Sequence, residues 1–341
     1  MQEILGQPKA IESLTSAITS GRVHHAWIFS GPKGVGKFTT AKWFAKKLLS
    51  AEDSQIENHP DLHIIQKELA LFSQDKDLRT KKLTNIPLDL LRERMIGGQV
   101  GSKHYQAAAY LTPVLGNGKI FIIDEAELLD ETAQNSILKT LEEPPAQTYI
   151  ILVTSQPQRL LPTIRSRCQH ARFGTLNEQE MSQWLDQANL STNQSQRKWI
   201  EHFSDGSPGI AQLASENEFY NWQITLNPML GELDDGRYPS QMGQTLAELV
   251  ETFAKSWVDK HDNASKDAAN KDGVRHLLNL LAAHSRKRLG ECADRSDDCE
   301  YWLNVIDLLR NAEQQLYSNV NIKLLLENLV AQWASQTVTT C

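Results

Sequence analysis

The sequence is poor in cysteine, with four in 341 residues, at positions 168, 292, 299 and 341. None of them forms a C-x-x-C pair, which excludes a zinc knuckle and the dense disulfide framework of small secreted domains. Long apolar runs are also missing, since no stretch approaches the roughly 18 residues that a membrane span needs. No basic segment followed by an apolar one opens the chain. We therefore expect reduced thiols, no membrane partner and a cytoplasmic location.

An overall excess of basic charge is absent too, because the formal net charge is -7. Residues 1–174 carry 21 Lys and Arg against 18 Asp and Glu, whereas the remainder carries 14 against 24. This excludes a uniformly basic nucleic-acid binder and indicates that a polyanion would meet the first half. A solvated surface with accidental asymmetry explains the same charges equally well.

In the first half, short apolar runs alternate with patterns typical of helices. The strand-like runs are 26–30, 62–65, 119–123 and 149–154, and the helical patterns include 9–20, 37–49 and 131–141. Such alternation predicts a mainly parallel sheet with helices on its faces. Functional sites of such sheets lie at the carboxyl ends of the strands.

After residue 174 the strand-like runs stop. Three short helical patterns, at 177–188, 192–204 and 209–218, predict a small helical domain, with Asn177 and Glu180 as a capping box. The segment "TLNPMLGELDDGRYPSQMG" has the proline, glycine and charge of a linker. Four longer amphipathic patterns then predict an all-helical domain. The predicted domains are 1–174, 175–226 and 240–341.

The stretch "AWIFSGPKGVGKF" matches the G-x-x-x-x-G-K part of a phosphate-binding loop at Gly31, Gly36 and Lys37, with Gly34 between them. In such a loop, backbone N–H groups cradle phosphates and the lysine reaches the terminal ones. Phe38 replaces the hydroxyl that would bind magnesium. Thr39 is turned away by about 100° around the helix. We therefore expect a degenerate ATP site that holds magnesium poorly.

The run "KIFIIDEAELLD" is an apolar strand that ends in Asp124 and Glu125. In a Walker B motif the aspartate positions magnesium and the glutamate orients the attacking water. An isolated Asp-Glu pair after a strand is more often the acidic start of a helix. Its occurrence after the phosphate-binding loop favours the functional interpretation.

"LKTLEEPP" and "TIRSRC", together with "ILGQ", "HHAWIFSGP" and "HPDLH", resemble the delta-prime subunits of the bacterial DNA polymerase III clamp loader, an AAA+ assembly. The resemblance covers about the first 215 residues, and the remainder only in helical character. It implies an AAA+ P-loop domain, a helical lid and an all-α collar. The implied partners are gamma/tau-type and delta-type subunits in a hetero-pentamer, the sliding clamp, and primer-template DNA through its backbone. The chain alone is expected to be a monomer.

The resemblance also implies roles for individual residues. Arg167 corresponds to an arginine finger that acts in trans on ATP bound to the neighbouring subunit. Thr154 and Ser155 stand where the family has a polar sensor near the γ-phosphate, although a plain strand end would look the same. Arg165 is an uncertain neighbour of the finger.

The sequence departs from the ATP-hydrolysing subunits of this family at two points. Their lid motif G-S-x-R-D-A is here "GSPGIAQLA", with Gly209 in place of the arginine. The four cysteines that bind zinc between the first loop and the second strand are absent, so no zinc is expected. Weak or absent ATPase activity of its own follows from Phe38 and Gly209.

The sequence also fits two alternatives. One is a gamma/tau-like ATPase subunit of the same loader, and the other is a free-standing AAA+ motor or interaction protein. The segment 95–111, "MIGGQVGSKHYQAAAYL", predicts a flexible turn before a helix but no role, and Cys292 and Cys299 have none assigned.

Overall fold

The computed structural model describes residues 4–52, 56–80, 84–190, 193–261, 264–291, 296–316, 318 and 320–336. The chain divides into two compact units, Met1–Asn189 with Asp205–Ile210, and Leu190–Ser204 with Ala211–Cys341. The three domains drawn from the sequence stay a prediction. Among the described residues, no helix combines the length and the apolar character needed to cross a bilayer.

The first unit is built on a five-stranded sheet in which every pairing is parallel and the strand order is β2-β5-β6-β1-β7. A separate antiparallel hairpin joins β3 to β4. The strands are β1 Ala26–Ser30, β2 Leu62–Ile65, β3 Gly98–Val100, β4 Lys103–Tyr105, β5 Lys119–Ile123, β6 Thr148–Thr154 and β7 Gln169–Arg172. The predicted parallel sheet is confirmed.

The three central strands are buried along almost their whole length, and their middle residues are apolar, because both faces of the sheet are covered. In β1, Ile28 packs into the core on one face, whereas Trp27 and Phe29 pack into the core on the other. Strands β5 and β6 alternate in the same way. This arrangement places the carboxyl ends of β1, β5 and β6 side by side.

Among the described residues, seven α-helices lie wholly within the first unit. They are α1 Pro8–Thr19, α2 Lys37–Leu49, α3 Lys76–Thr80, α4 Leu88–Leu91, α5 Glu131–Glu142, α6 Pro162–Arg165 and α7 Glu178–Ala188. The capping box predicted for α7 is present: the Asn177 side chain accepts from the Glu180 amide, and the Glu180 carboxylate accepts from the Asn177 amide. Helix α5 is capped by Asp130, whose side chain accepts from the Ala133 amide.

The sequence did not predict β7. Three of its four residues, "QHAR", are polar, and only Ala171 is buried, because β7 lies at the edge of the sheet beside β1. Pairing with one neighbour through backbone groups needs no apolar run.

The segment 95–111 forms the β3–β4 hairpin, with Gly101 in its turn at φ +55°. The predicted turn is therefore present. The predicted helix is limited to the single 3-10 turn Ala108–Tyr110.

The remaining helices are α8 Gln194–Ser204, α9 Pro208–Glu216, α10 Phe219–Asp234, α11 Met242–Lys260, α12 Lys266–Glu291, α13 Ser296–Gln315 and α14 Ile322–Ala334. Helix α9 begins in the first unit and continues into the second. The prediction of a linker over 225–243 is wrong for its first part, since α10 continues to Asp234 with Pro228 inside it. The helix persists because one of its faces is buried, at Phe219, Trp222, Leu226, Leu230 and Leu233.

Candidate functional site

The loop between β1 and α2 needs its glycines for backbone reasons. Gly34 and Gly36 have φ of +80° and +93°, values at which a side chain is strained. A Cβ at Gly31 would collide with the carbonyl oxygen of Phe173. The structure thus places Gly31, Gly34 and Gly36 in the turn from strand to helix, the context that a phosphate-binding loop requires.

Lys37 is the first residue of α2 and is 7% exposed. Its Nζ donates to the carbonyls of Gly31 at 2.8 Å and Pro32 at 2.5 Å. Burial lowers the pKa of Lys37 to about 8, and the negative charges of Glu127 and Asp124 act in the opposite direction. The loop therefore holds a buried amine whose charge is only moderately favoured.

The residues after Lys37 offer no obvious hydroxyl for a metal. Phe38 packs against the core that contains Phe29 and Phe44. Thr39 is exposed. Thr40 is fully buried and donates its hydroxyl to the carbonyl of Gly36 at 2.9 Å, so it is used within the helix.

Asp124 follows β5 and accepts a hydrogen bond from Gln66 Nε2 at 3.0 Å. Burial raises the pKa of Asp124, and the hydrogen bond from Gln66 opposes this rise. Gln66 comes directly after β2, the neighbouring strand, so its amide reaches Asp124 across the carboxyl ends of the two strands. No pattern in the sequence predicts this partner.

Glu125 has the left-handed backbone φ of +49°. Its Oε2 lies 2.6 Å from Lys67 Nζ, and its Oε1 lies 3.8 Å from Lys33 Nζ. The carboxylate predicted to orient water is thus paired with two ammonium groups of its own chain. A carboxylate paired in this way is a weaker acceptor for a proton from water.

Glu127 is a carboxylate of the site that the sequence did not predict. It is 7% exposed, and its Oε1 accepts from the hydroxyl of Ser155 at 2.5 Å and from its amide at 3.1 Å. Burial alone would raise the pKa of Glu127, but hydrogen bonds, including those from Ser155 and Thr154, outweigh burial and lower it. Its Oε2 has no hydrogen-bond partner among the described residues. The available signal was a third carboxylate in the run, three residues after Asp124.

Thr154 and Ser155 lie at the carboxyl end of β6. The Thr154 hydroxyl also accepts from the amide of Gln156 at 3.0 Å. Both predicted sensor residues are therefore engaged with groups of their own chain. Lys37 lies near the same edge of the sheet as Asp124, since the negative charges of Asp124 and Glu127 act on the pKa of Lys37.

The segment Asp205–Ile210 belongs to the same unit as the loop and packs directly on it. The Ser207 hydroxyl donates to the carbonyl of Lys33 at 2.9 Å, and the Gly209 amide donates to the carbonyl of Gly34 at 2.8 Å. A Cβ at Gly209 would stand 2.7 Å from Gly34 Cα. Close packing against Gly34 therefore explains why residue 209 is a glycine.

Arg167 makes its polar contacts away from the loop. Its Nη2 lies 2.7 Å from Glu142 Oε1, and its Nη1 donates to the carbonyl of Thr163 at 3.0 Å. The two side chains are 37% and 47% exposed. The next residue, Cys168, is buried, and burial raises the pKa of its thiol to about 12. Cys292 lies outside the described residues, and Cys299 has a half-buried side chain.

Arg165 lies elsewhere, in a surface cavity of about 560 Å³. Two further basic side chains, His170 and Arg172, line this cavity, together with Gly31, Pro32 and Ser155. The structure therefore brings Arg165, but not Arg167, to a cavity that the loop of this chain also lines.

The site meets the needs of a phosphate group better than those of a magnesium ion. The glycine-rich turn from strand to helix and the buried Lys37 fit a phosphate group. The metal fits less well, because Phe38 supplies no oxygen and Thr40 donates within the helix. Among the described residues, no group of three or more His, Cys, Asp or Glu could hold a metal ion.

Residues 6–177, half of the chain, match the family model described as DNA polymerase III, delta subunit. The chain belongs to this family. The family prediction made from "LKTLEEPP" and "TIRSRC" is thereby confirmed.

Named relatives fall into two groups. The DNA polymerase III subunit delta' of Bacillus subtilis is 27% identical, with 95% of each chain covered. The subunit gamma of Buchnera aphidicola from Schizaphis graminum is 31% identical over 54% of this chain and 47% of its own length. The subunit gamma/tau of Mycobacterium tuberculosis H37Rv is 30% identical over 52% of this chain and 29% of its own. The chain thus spans less than half the length of these last two relatives.

Similar solved structures include a gamma subunit-related protein of Thermotoga maritima, at 16% identity and a TM-score of 0.48, covering 95% of this chain and 99% of that one. The RuvB Holliday junction branch migration motor of the same organism has 15% identity and a TM-score of 0.40, covering 95% and 88%. These values are too low to define the fold, which is defined by the strand order given above.

Proposed function

We propose that the chain is a delta-prime-like subunit of the DNA polymerase III clamp loader and helps to place the sliding clamp on primed DNA. Its contribution is Arg167, which acts in trans on ATP bound to the adjacent ATPase subunit. The observation that carries this proposal is the part-exposed guanidinium of Arg167, whose contacts lie away from the phosphate-binding loop of its own chain. An arginine finger must be presented to a neighbour in this way.

Three features support weak or absent ATPase activity in the chain itself. Phe38 cannot bind magnesium. Glu125 is paired with Lys67. Gly209 offers no cation to a γ-phosphate. Residual ATP binding would use the loop amides and Lys37, and bound ATP would supply only a triphosphate to this loop.

Similarity along the whole chain to the B. subtilis delta' subunit supports the delta-prime assignment over a gamma/tau-like ATPase. The second assignment is still favoured by one observation, the retention of Lys37, Asp124 and Glu125 together at one edge of the sheet. Magnesium-dependent ATP turnover by the purified chain separates the two. We expect none above background, and clear turnover would support the ATPase assignment.

The proposed partners are gamma/tau-type and delta-type subunits, the sliding clamp and primer-template DNA. The last four helices would form the collar that joins the subunits, and DNA would be contacted through its phosphates. We expect a monomer in isolation and a hetero-pentamer with the other subunits. A free-standing motor would instead form homomeric rings, so sizing of the purified chain tests this alternative.

The finger is tested in a loader reconstituted from this chain and the gamma/tau-type and delta-type subunits of its own organism. Arg167→Ala should leave assembly intact and lower the DNA-stimulated ATPase kcat by on the order of 10³-fold. Arg159→Ala, an exposed arginine, is the matched control and should change little. An unchanged rate with Arg167→Ala, or a large loss with Arg165→Ala alone, contradicts the assignment.

A further inference from the structure

The guanidinium of Arg167 is held on two sides by its own chain. One hydrogen bond goes to the carbonyl of Thr163 in α6, and an ion pair joins it to Glu142, the last residue of α5. Arginine has five N–H donors in a planar fork. These two contacts therefore fix the plane of the fork and leave donors for a further acceptor.

Glu142 and Arg167 are each adjacent in sequence to a buried core residue. Glu142 follows Leu141, which is buried and whose carbonyl lies 2.9 Å from His25 Nε2. Arg167 precedes Cys168, and Leu141, Ile164 and Cys168 belong to the same core. The ion pair thus joins two points of one rigid core, and its geometry is set by that core.

Stability does not explain an acidic residue at this position. The carboxyl end of a helix disfavours negative charge, yet α5 ends in Glu142 and is followed by Glu143. An ion pair between side chains as exposed as these contributes little to folding. A role in orienting Arg167 accounts for both observations.

We propose that Glu142 is a positioning residue for Arg167, an inference that rests on the proposed function. Its carboxylate restricts the rotamers of the long arginine side chain before the neighbouring subunit docks. Less conformational entropy is then lost when the guanidinium meets the triphosphate. Glu142 itself does not touch the nucleotide.

The test uses the reconstituted loader with four single variants of this chain and one double variant; the single variants are Glu142→Gln, Glu142→Asp, Glu143→Gln and Arg167→Ala. Glu142→Gln should lower the kcat of DNA-stimulated ATPase by about 10-fold and leave KM for ATP unchanged, since a misplacement of about 1 Å costs up to about 100-fold. Glu142→Asp keeps the charge and should retain more activity than Glu142→Gln. Glu143→Gln, an exposed neighbour, is the control and should match the unmodified chain.

The double variant Glu142→Gln/Arg167→Ala should be no slower than Arg167→Ala alone, because both changes act through one guanidinium. If Arg167→Ala impairs the loader while Glu142→Gln does not, the positioning role is overturned and the finger stands. If Glu142→Gln raises kcat, the pair restrains the finger, and positioning is likewise overturned. If Arg167→Ala has no effect, the finger assignment is wrong, and the positioning role that rests on it is wrong as well. Thermal unfolding and subunit assembly of each variant exclude loss of folding as the cause.

Discussion

The amide of Gly209 donates a hydrogen bond of 2.8 Å to the carbonyl of Gly34, so the start of α9 rests on the phosphate-binding loop. The contact joins two backbones, and no room is left between them for a side chain. The residue that replaces the expected lid arginine is therefore required by the packing of this chain.

Gly209→Ala should destabilise the first unit by about 1–3 kcal/mol, because the added Cβ meets backbone atoms that cannot move aside as a flexible side chain can. Its closest neighbours would be Gly34 Cα at 2.7 Å and Gly34 O at 3.1 Å. Urea unfolding measures the loss. Gly174→Ala, where a Cβ would meet no described atom within 4 Å, is the control and should change stability by less than about 0.5 kcal/mol. Equal effects of the two substitutions would contradict the packing argument.

The lowered pKa of Lys37 predicts a pH-dependent stability. Between about pH 8 and pH 10.5 the unfolded chain keeps a proton on Lys37 that the folded chain has released. Folding therefore becomes more favourable as the pH rises through this window, by roughly 3 kcal/mol for complete titration. The measurement is the unfolding free energy at several pH values.

Lys37→Met should abolish this gain, so the stability of the unmodified chain relative to the variant should rise from pH 8 to 10.5. Lys9→Met, at an exposed position, is the control and should keep the gain. Parallel curves for the unmodified chain and Lys37→Met would rule out Lys37 as the group responsible.

The bond from Ser155 to Glu127 predicts an acid-dependent effect of Ser155→Ala. Loss of the hydroxyl removes a donor to a buried carboxylate and should cost about 1–3 kcal/mol at neutral pH. Because the folded pKa of Glu127 is lowered from 4.5, its stabilising contribution is present above pH 4.5 and is lost as the pH falls through the folded pKa. The cost of Ser155→Ala should shrink over the same range.

Urea unfolding at pH 7 and below pH 4.5 tests this dependence. Ser166→Ala, which removes an exposed hydroxyl bonded to the carbonyl of Thr163, should cost less than about 0.5 kcal/mol at both. A cost of Ser155→Ala that does not vary with pH would contradict a role of the Glu127 charge.

The carboxylate of Asp61 is fully buried and accepts from the amides of Val114 at 2.7 Å and Leu115 at 2.8 Å. Asp61→Ala leaves both amides without their acceptor and should cost about 3 kcal/mol. Limited proteolysis should then become faster within 112–118. Asp89→Ala, which removes an exposed pair with Arg92, is the control. Unchanged cleavage in Asp61→Ala would show that the loop is held by other contacts.

Much of the fold could be predicted from the sequence because its signals are local. The apolar runs of β1, β5 and β6 reflect burial on both faces, and the limits of α2 follow from Gly36 and the apolar period. Prediction failed where local signals pointed the wrong way. Strand β7 is polar because it is an edge, and Pro228 suggested a break in α10 that the buried face of the helix overrides.

By itself, the sequence determined the strand-loop-helix unit that contains Gly31 and Lys37, the acidic strand end at Asp124, and the family. Each of these depends on residues that are neighbours along the chain. Only the tertiary structure decided that Lys67 pairs with Glu125, that Gly209 rests on Gly34 and that Glu142 holds Arg167. Those contacts join residues distant in sequence, and packing of the core, which no local pattern encodes, brings them within bonding distance.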